Sequence, residues 1–252
     1  MDLQLSGKTA IVTGAASGMG KVIATLLAGE GVEVWAADIN GEGAKTTVAD
    51  LVAAGGKAHA ATLDVANRSQ WQGLAQSVLD AAGKIDILCN VAGPGAKTGH
   101  LDTDDAEWER QVSGHMTGVF MGCTTVLPSM IERDYGKIVN MCSFTAHGIV
   151  SNIPGYCAAY GGIHADTKDL ARFAAPHNIN VNCVSPGNIV TPMTRDGWLD
   201  KPGAMEALKK SMPIDRIGLP EDVAYWFAVL ASDRAKHVVG IEINVSGGQL
   251  IS

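Results

Sequence analysis

Near its start the sequence carries Lys8-Thr-Ala-Ile-Val-Thr13, followed by Gly14-Ala-Ala-Ser17-Gly18-Met19-Gly20, then Lys21 to Glu30, and then Val32-Glu-Val-Trp-Ala-Ala-Asp38. The first and last of these segments have the small and β-branched apolar residues typical of strands that are covered on both faces. The segments between them combine a glycine-rich turn with a stretch that predicts a helix. We therefore expect a strand, a tight turn, a helix and a second strand, in that order.

The glycine-rich turn is suited to holding a phosphate group. Gly14, Gly18 and Gly20 allow the backbone to turn tightly and to approach a bound group without an intervening Cβ. The helix that follows would present unpaired N–H groups and the positive end of its dipole to the phosphate. Asp38 closes the second strand at the spacing where an acidic side chain accepts hydrogen bonds from an adenosine ribose. Together these features predict a dinucleotide-binding site, with a βα turn that binds no ligand as the alternative.

Bulk properties exclude several classes of function. A net charge of −7 and a pI near 5.4 argue against a nucleic-acid partner, which would require a basic face. No apolar run approaches the roughly 20 residues that cross a bilayer, and the first residues lack a basic and then apolar signal region. We therefore expect a cytoplasmic protein without a membrane partner. The five cysteines are scattered and form no C-x-x-C pair, which predicts buried thiols rather than disulfides or a metal site.

Strands alternate with helices along the rest of the chain. Such alternation favours a parallel sheet with helices on both faces. No linker or repeat divides the sequence, so we expect residues 1–252 to form a single Rossmann-type, doubly wound α/β domain of about seven strands. Its ligand crevice should lie beyond the carboxyl ends of the strands, where Asp38, Asn90 and Ser143 stand. The further strands are expected at 58–63, 85–89, 136–142, 178–184 and 238–244, and the further helices at 43–54, 69–82, 105–129, 156–174 and 221–231.

The helix at 105–129 is expected to be continuous and to bury one apolar stripe. Its apolar residues recur at helical spacing, which predicts a single face packed on the core. The residues of this stripe are Trp108, Val112, Met116, Val119, Phe120 and Cys123.

The chain resembles the short-chain dehydrogenase/reductase family over nearly its whole length. Residues 13–20 resemble the T-G-x-x-x-G-x-G signature of that family, and Asn90-Val-Ala92-Gly93 resembles its N-N/V-A-G motif. Ser143 and Tyr156 stand thirteen residues apart, as the catalytic serine and tyrosine of the family do. The segment 186–191, Pro-Gly-Asn-Ile-Val-Thr, resembles the family's P-G-x-I/V-x-T. The resemblance implies an NAD-dependent oxidoreductase that interconverts a secondary alcohol and a ketone.

The resemblance also implies which residues hold the cofactor. A carboxylate at Asp38 favours NAD, because it would bond two free ribose hydroxyls and repel a 2′-phosphate, whereas Lys21 is a mild signal for NADP. Asp64 and Val65 would hold the adenine, although Asp64 taken alone favours a helix N-cap, and Asn90 would also tie neighbouring strands together. The implied cofactor-binding residues are Gly14, Ser17, Gly18, Met19, Gly20, Asp38, Asp64, Val65, Asn90, Ala92, Gly93, Pro186, Gly187, Ile189 and Thr191.

Two of the four catalytic positions of the family match, and two differ. Ser143 is expected to orient the carbonyl, and Tyr156 to exchange its proton as hydride moves. The family places a lysine four residues after the tyrosine, on the same helix face, where its ammonium favours the phenolate; here that position is Tyr160. The family's asparagine in the central helix is His115 here. Lys168 lies twelve residues after Tyr156, more than three helical turns away, and is too distant to replace the lysine.

These two departures leave three interpretations. The first is a dehydrogenase of reduced or altered activity in which His115 takes part in a proton relay, because histidine titrates near neutrality. A structural role for His115 is an equal alternative, and Tyr160 is expected to fill the space of the lysine stem. The second interpretation is a cofactor-retaining lyase or isomerase that abstracts a proton beside a carbonyl. The third is a catalytically inactive NAD-binding homologue, degenerate or engineered.

The substrate is expected to be a small molecule, which the sequence does not identify. Loops 94–105, 144–155 and 194–213 should determine which substrate binds. The resemblance implies that 194–213 is a mobile lid over the substrate. Phe144 and His147 are expected to line the pocket, and no cluster of carboxylates and histidines predicts a metal. The resemblance further implies a homotetramer that packs through the helices holding His115 and Tyr156 and through the C-terminal strand.

Overall fold

The computed structural model describes residues 2–96, 98–148 and 152–251. Its strands are β1 (Thr9–Thr13), β2 (Glu33–Asp38), β3 (Ala58–Thr62), β4 (Ile87–Asn90), β5 (Gly136–Met141), β6 (Ile179–Pro186) and β7 (Glu242–Val245). They form one seven-stranded sheet in the order β3-β2-β1-β4-β5-β6-β7, and every pair is parallel. The strand order reverses between β1 and β4, and this reversal places a crevice beyond the carboxyl ends of those two strands.

Helices cover both faces of the sheet, as the alternating sequence pattern predicts. They are α1 (Gly18–Gly29), α2 (Gly41–Ala53), α3 (Arg68–Ala82), α4 (Asp105–Val112), α5 (Gly118–Glu132), α6 (Pro154–Ala174), α7 (Pro192–Thr194), α8 (Ala204–Ser211) and α9 (Pro220–Ala231). On one face α1 and α9 pack on each other and bury Leu27 and Phe227. On the other face α3, α5 and α6 bury Trp71, Val126 and Ile163. The observed architecture confirms the predicted doubly wound α/β fold.

The predicted continuous helix at 105–129 is wrong in one respect. A π-helical turn, Ser113–Thr117, separates α4 from α5. Because a π turn contains an additional residue, positions before and after it no longer share one stripe. Trp108 and Phe120, which the periodicity placed in the core, are therefore 43% and 49% exposed, while Val119 is buried.

The start of α3 also differs from its prediction. Asn67, not Asp64, is the N-cap, and its side chain accepts hydrogen bonds from the backbone N–H groups of Ser69 and Gln70. Asp64 instead accepts a hydrogen bond from the N–H of Ala66 at 2.9 Å, within the turn that precedes the helix. Asn67 directly precedes the first helical residue and accepts from N–H groups of the first turn that have no partner within the helix, so Asp64 is not needed as a cap.

None of the helices in the described part of the chain is both long and apolar enough to cross a bilayer.

Candidate active site

The turn between β1 and α1, residues 14–20, forms a cradle at the carboxyl edge of the sheet. Gly14 and Gly18 have φ angles of 68° and 53°, in the left-handed region that favours glycine. A Cβ on Gly20 would overlap the carbonyl oxygen of Gly14, so the first turn of α1 packs directly against the turn backbone. We call residues 14–20 the dinucleotide cradle.

Thr13 fastens this cradle to the end of β4. Its hydroxyl oxygen accepts hydrogen bonds from the N–H groups of Val91 and Ala92, at 2.9 Å and 3.1 Å. Thr13 is the first residue of the motif that carries the family resemblance, and its role in linking the two strands was not expected from the sequence. The bonds hold the two sides of the crevice in register.

A cavity of about 510 Å³ lies over the dinucleotide cradle, within the usual range for small-molecule and cofactor sites. Its wall brings together most of the residues expected to hold a cofactor: Gly14, Ser17, Gly18, Met19, Gly20, Asp38, Val65, Ala92, Gly93 and Thr191. The expected residues that do not line it are Asp64, Asn90, Pro186, Gly187 and Ile189. It also includes residues that the sequence analysis missed, among them Pro94, Arg110, Ser113 and Met193. These lie beyond the recognised motifs and carry no local signal of their own.

Asp38 is fixed at the end of β2 on the wall of this cavity. One carboxylate oxygen accepts from the N–H of Ala16 at 3.0 Å, and the other accepts from the N–H of Asn40 at 2.9 Å. Lys21, the residue that weakly favoured NADP, has its ammonium 2.7 Å from a carboxylate oxygen of Asp50. The cavity therefore presents an oriented carboxylate, while the nearby lysine is engaged with another acid.

The side chain of Asn90 faces the interior rather than the cavity. Its amide group donates to Asn140 at 2.9 Å and to the sulfur of Cys123 at 3.4 Å. Asn140 in turn donates to Thr167 on α6 at 3.0 Å. These bonds join β4, β5, α5 and α6, which is the strand-linking role expected for Asn90.

Ser143 and Tyr156 stand at the carboxyl end of β5 and in the first turn of α6. Ser143 caps the 3₁₀ turn Phe144–His147, and its hydroxyl accepts from the N–H of Thr145 at 3.3 Å. Burial raises the pKa of Tyr156, and hydrogen bonding with the Tyr160 and Ser143 side chains opposes that shift only in part. The phenol of Tyr156 is therefore protonated at neutral pH.

Tyr156 is one of three aromatic rings that pack together, which we call the aromatic cluster: His115, Tyr156 and Tyr160. The ring centroids of Tyr156 and Tyr160 are 4.6 Å apart, and those of His115 lie 5.2 Å from Tyr156 and 4.7 Å from Tyr160. Tyr160 is buried, and burial raises its pKa well above its ordinary value. Tyr160 stands four residues after Tyr156, where the resemblance implies a lysine, so an uncharged phenol lies beside Tyr156 in place of the expected ammonium.

His115 lies in the π turn and is 2% exposed. Its Nε2 is 2.8 Å from the carbonyl oxygen of Pro94, so Nε2 carries the proton and donates it. Its ring packs against Gly93 so closely that a Cβ there would overlap it. Burial lowers the pKa of His115 to about 4, the hydrogen bond to Pro94 opposes the shift, and the charge of Arg110 adds to it. His115 is thus neutral at physiological pH, and its proton faces a carbonyl that cannot pass a proton on.

The residues expected to line the substrate pocket lie outside the cavity wall. Phe144 is buried, and His147 hydrogen-bonds the Glu242 carboxylate through Nε2 at 2.9 Å. Two of the expected substrate loops, 94–105 and 144–155, include residues 97 and 149–151, which lie outside the described residues. The third, 194–213, contains the π turn Arg195–Leu199 and helix α8. Its role as a lid stays a prediction.

A model of the family described as enoyl-(acyl carrier protein) reductase matches residues 14–249. A short-chain type dehydrogenase/reductase of Sinorhizobium fredii is 39% identical over 98% of this chain and 99% of that protein. The cyclopentanol dehydrogenase of Comamonas testosteroni is 38% identical over 97% of this chain and 98% of that protein. The crystal structure of a 7α-hydroxysteroid dehydrogenase with NADH and 7-oxo glycochenodeoxycholic acid superposes with a TM-score of 0.93 at 31% identity, over 100% of this chain and 98% of that one.

Proposed function

The chain belongs to the short-chain dehydrogenase/reductase family of oxidoreductases, and we propose that it uses NAD(H) to interconvert a secondary alcohol and a ketone. The cavity over the dinucleotide cradle supports this assignment, because its glycines would let the phosphates of a dinucleotide approach the protein backbone, and because Asp38 lies on its wall. Two similar proteins support the same reaction, since one is a cyclopentanol dehydrogenase and the other a 7α-hydroxysteroid dehydrogenase in complex with NADH and a 7-oxo bile acid.

The residues present fit a nicotinamide dinucleotide. Gly18, Met19 and Gly20 at the start of α1 line the cavity, and the unpaired N–H groups of a helix start suit the phosphates of such a cofactor. The Asp38 carboxylate on the same wall suits the free hydroxyls of an adenosine ribose. When bound, the nicotinamide supplies or accepts the hydride. Thr191, on the cavity wall, is the residue we assign to the nicotinamide end.

Tyr156 is the proton donor to the carbonyl oxygen in ketone reduction, and Ser143 orients that oxygen. The observation that carries this proposal is the uncharged aromatic cluster, in which raised tyrosine pKa values keep the phenol of Tyr156 protonated. Tyr160 hydrogen-bonds the Tyr156 oxygen as a neutral group, so it lacks the attraction between opposite charges by which an ammonium would further favour the phenolate. The form needed for reduction is therefore abundant at neutral pH, and the phenolate needed for alcohol oxidation is scarce.

His115 acts as a positioning residue in this proposal. Its Nε2–H bond to Pro94 fixes the loop that follows Gly93, and its ring supports Tyr156 from the edge. A proton relay through His115 would require Nε2 to exchange its proton with a group that can pass the proton on, and a carbonyl oxygen cannot do so.

The test is a pair of pH–rate profiles followed at 340 nm. We expect kcat/KM for ketone reduction with NADH to stay level from pH 6 to above pH 9, and kcat/KM for alcohol oxidation with NAD to rise continuously over the same range. A plateau in the oxidation profile near pH 7 to 8 would show a readily formed phenolate and would overturn the assignment. A panel of cyclic and steroid ketones provides the substrates.

An inactive NAD-binding homologue is the second candidate, favoured by the replacement of the lysine position with Tyr160. If the wild-type protein binds NADH but reduces no ketone of the panel, Tyr160→Lys combined with His115→Asn tests this alternative. A large gain of activity in the double variant would identify a lost lysine as the cause.

Exposed aromatic side chains support the homotetramer proposed from the family. Trp108, Phe120 and Phe173 on α4, α5 and α6 are 43%, 49% and 59% exposed. Such apolar surface on neighbouring helices is typical of protein–protein contacts. Light scattering coupled to gel filtration should give the mass of four chains.

A further inference from the structure

Three side chains from distant parts of the sequence meet beside β7, outside the wall of the cavity described above. His147 ends the 3₁₀ turn that follows Ser143, His164 lies in the middle of α6, and Glu242 begins β7. His147 Nε2 lies 2.9 Å from both carboxylate oxygens of Glu242, and His164 Nε2 lies 3.2 Å from one of them. The candidate ligand atoms of the three residues all lie within 4.8 Å of one another.

We propose that His147, His164 and Glu242 form a binding site for a divalent transition-metal ion such as Zn²⁺. Two imidazoles and one carboxylate are a donor set that suits zinc and its neighbours, whereas calcium and magnesium prefer oxygen ligands alone. This site is separate from the proposed dehydrogenase chemistry and does not depend on it.

The distances between the ligand atoms are close to those around a tetrahedral ion. Bonds of about 2.0–2.1 Å to zinc place neighbouring ligand atoms about 3.4 Å apart. The two histidine–carboxylate separations, 2.9 Å and 3.2 Å, already approximate this value. The ligand nitrogens of the two imidazoles lie within 4.8 Å of each other, and their ring centroids are 5.1 Å apart, so small changes in side-chain torsion complete the geometry. Rotation of partly exposed side chains achieves this without movement of the sheet.

The surroundings of Glu242 fix its carboxylate in place. Ser185 on β6 donates a hydrogen bond to one of its oxygens, and β6 holds β7 in register through the pairing of Cys183 with Glu242. Outer hydrogen bonds of this kind orient metal-binding carboxylates. The side chains of His147 and His164 are 28% and 21% exposed, so an ion can enter from solvent and keep a water molecule as its fourth ligand.

A plain ion pair is the competing explanation, and the chain contains a matched example. His59 Nε2 lies 2.8 Å from a Glu33 oxygen, but the second cation there is Lys57, which cannot bind zinc while protonated. The His59 pair therefore serves as a control, because it has the same histidine–carboxylate contact without a second imidazole.

The experiment is calorimetric titration of Zn²⁺ into tag-free, chelator-treated protein without dinucleotide. We expect one Zn²⁺ per chain in the wild type and in His59→Gln, and binding weakened by at least about tenfold in His164→Gln and Glu242→Gln. If Glu242→Gln does not fold, His147→Gln, a change on the surface turn, replaces it and should weaken Zn²⁺ binding by a similar factor. Absence of wild-type binding, or equal binding in His164→Gln, overturns the proposal.

Co²⁺ absorption separates this site from binding by the free cysteines. We expect the visible bands of a four-coordinate nitrogen and oxygen site, without the intense near-ultraviolet thiolate-to-cobalt band. A thiolate band would place the ion on a cysteine and overturn the proposal. Dinucleotide binding and ketone reduction are measured separately, so failure here leaves the proposed dehydrogenase function untouched.

Discussion

The dinucleotide cradle is built from backbone and small side chains, whereas the aromatic cluster is built from three large rings packed on one another. The cradle keeps each feature that the glycine pattern predicts, including the left-handed turn, the exposed start of α1 and the carboxylate of Asp38. The cluster keeps Tyr156 but surrounds it with uncharged neighbours. The cradle and the aromatic cluster therefore differ in how far they follow the family pattern.

In the proposed function, cofactor binding and proton transfer rest on separate residues. Binding depends on close approach of backbone to ligand, which tolerates no added atoms. Proton transfer depends on the pKa of one phenol, which a single neighbouring charge can shift by one to three units. Changes to the cradle should therefore affect affinity, and changes to the cluster should affect turnover and its pH dependence.

Tyr156→Phe gives the largest expected effect, because it removes the proposed proton donor and keeps the ring. Ketone reduction should fall by roughly 10²–10⁴-fold, the usual contribution of a positioned acid, while NADH affinity stays the same. Initial rates at 340 nm and NADH fluorescence titration measure the two quantities. Tyr135→Phe is the matched control, because its hydroxyl bonds Asp233 at 2.9 Å, away from the cluster. A loss of activity as large in the control would indicate a general effect on folding.

Gly20→Ala tests the cradle, and here cofactor affinity rather than proton transfer is expected to change. The new Cβ would overlap the carbonyl oxygen of Gly14, so the turn must open and NADH affinity should fall by about 100-fold or more, with a cost in stability of a few kcal/mol. Gly29→Ala is the control at the other end of α1, where a Cβ meets open space. That variant should bind NADH normally and gain about 0.5–1 kcal/mol in stability. Normal NADH affinity in Gly20→Ala would mean that the turn does not hold the phosphates.

His115→Asn tests whether the buried imidazole is neutral, through the pH dependence of stability. Its pKa is about 4 in the folded protein and near 6.5 when unfolded, so the unfolded chain binds the additional proton between these values. The free energy of unfolding should therefore decrease as pH falls from 6.5 to 4, by up to about 3 kcal/mol more in the wild type than in His115→Asn. Urea unfolding at several pH values measures this, with the exposed His100→Asn as control. Parallel slopes in wild type and His115→Asn would contradict the assignment.

The sequence predicts the cradle well because its determinants are local. Gly14, Gly18 and Gly20 act on the backbone within one turn, and Asp38 follows at a fixed strand length. The same locality explains the success of the strand and helix assignments. The side-chain period of a helix or strand is visible within a few residues, even though the hydrogen bonds of this sheet join strands that are distant in sequence.

The aromatic cluster and the helix around it could not be predicted in the same way. The π turn at Ser113–Thr117 accompanies the packing of His115 between Gly93 and Pro94, a contact with a distant loop that helical periodicity does not contain. The meeting of His147 with Glu242 depends on the register of β6 and β7. Such contacts arise only when the whole sheet is assembled, so residue types and spacing alone do not reveal them.

Asp38→Ala gives the smallest of these effects and tests the choice between NAD and NADP. Loss of two hydrogen bonds to an adenosine ribose should weaken NADH by about tenfold, and loss of the negative charge should weaken NADPH less or strengthen it. Because Asp38 also accepts from the N–H groups of Ala16 and Asn40, Asp38→Asn separates charge from turn structure by keeping one oxygen acceptor. Calorimetry with both dinucleotides measures the affinity ratio, and Asp50→Ala, which frees Lys21, is the control for added positive charge. If NADH binds Asp38→Ala as tightly as the wild type, the carboxylate does not contact the ribose, and the preference for NAD must come from elsewhere in the crevice.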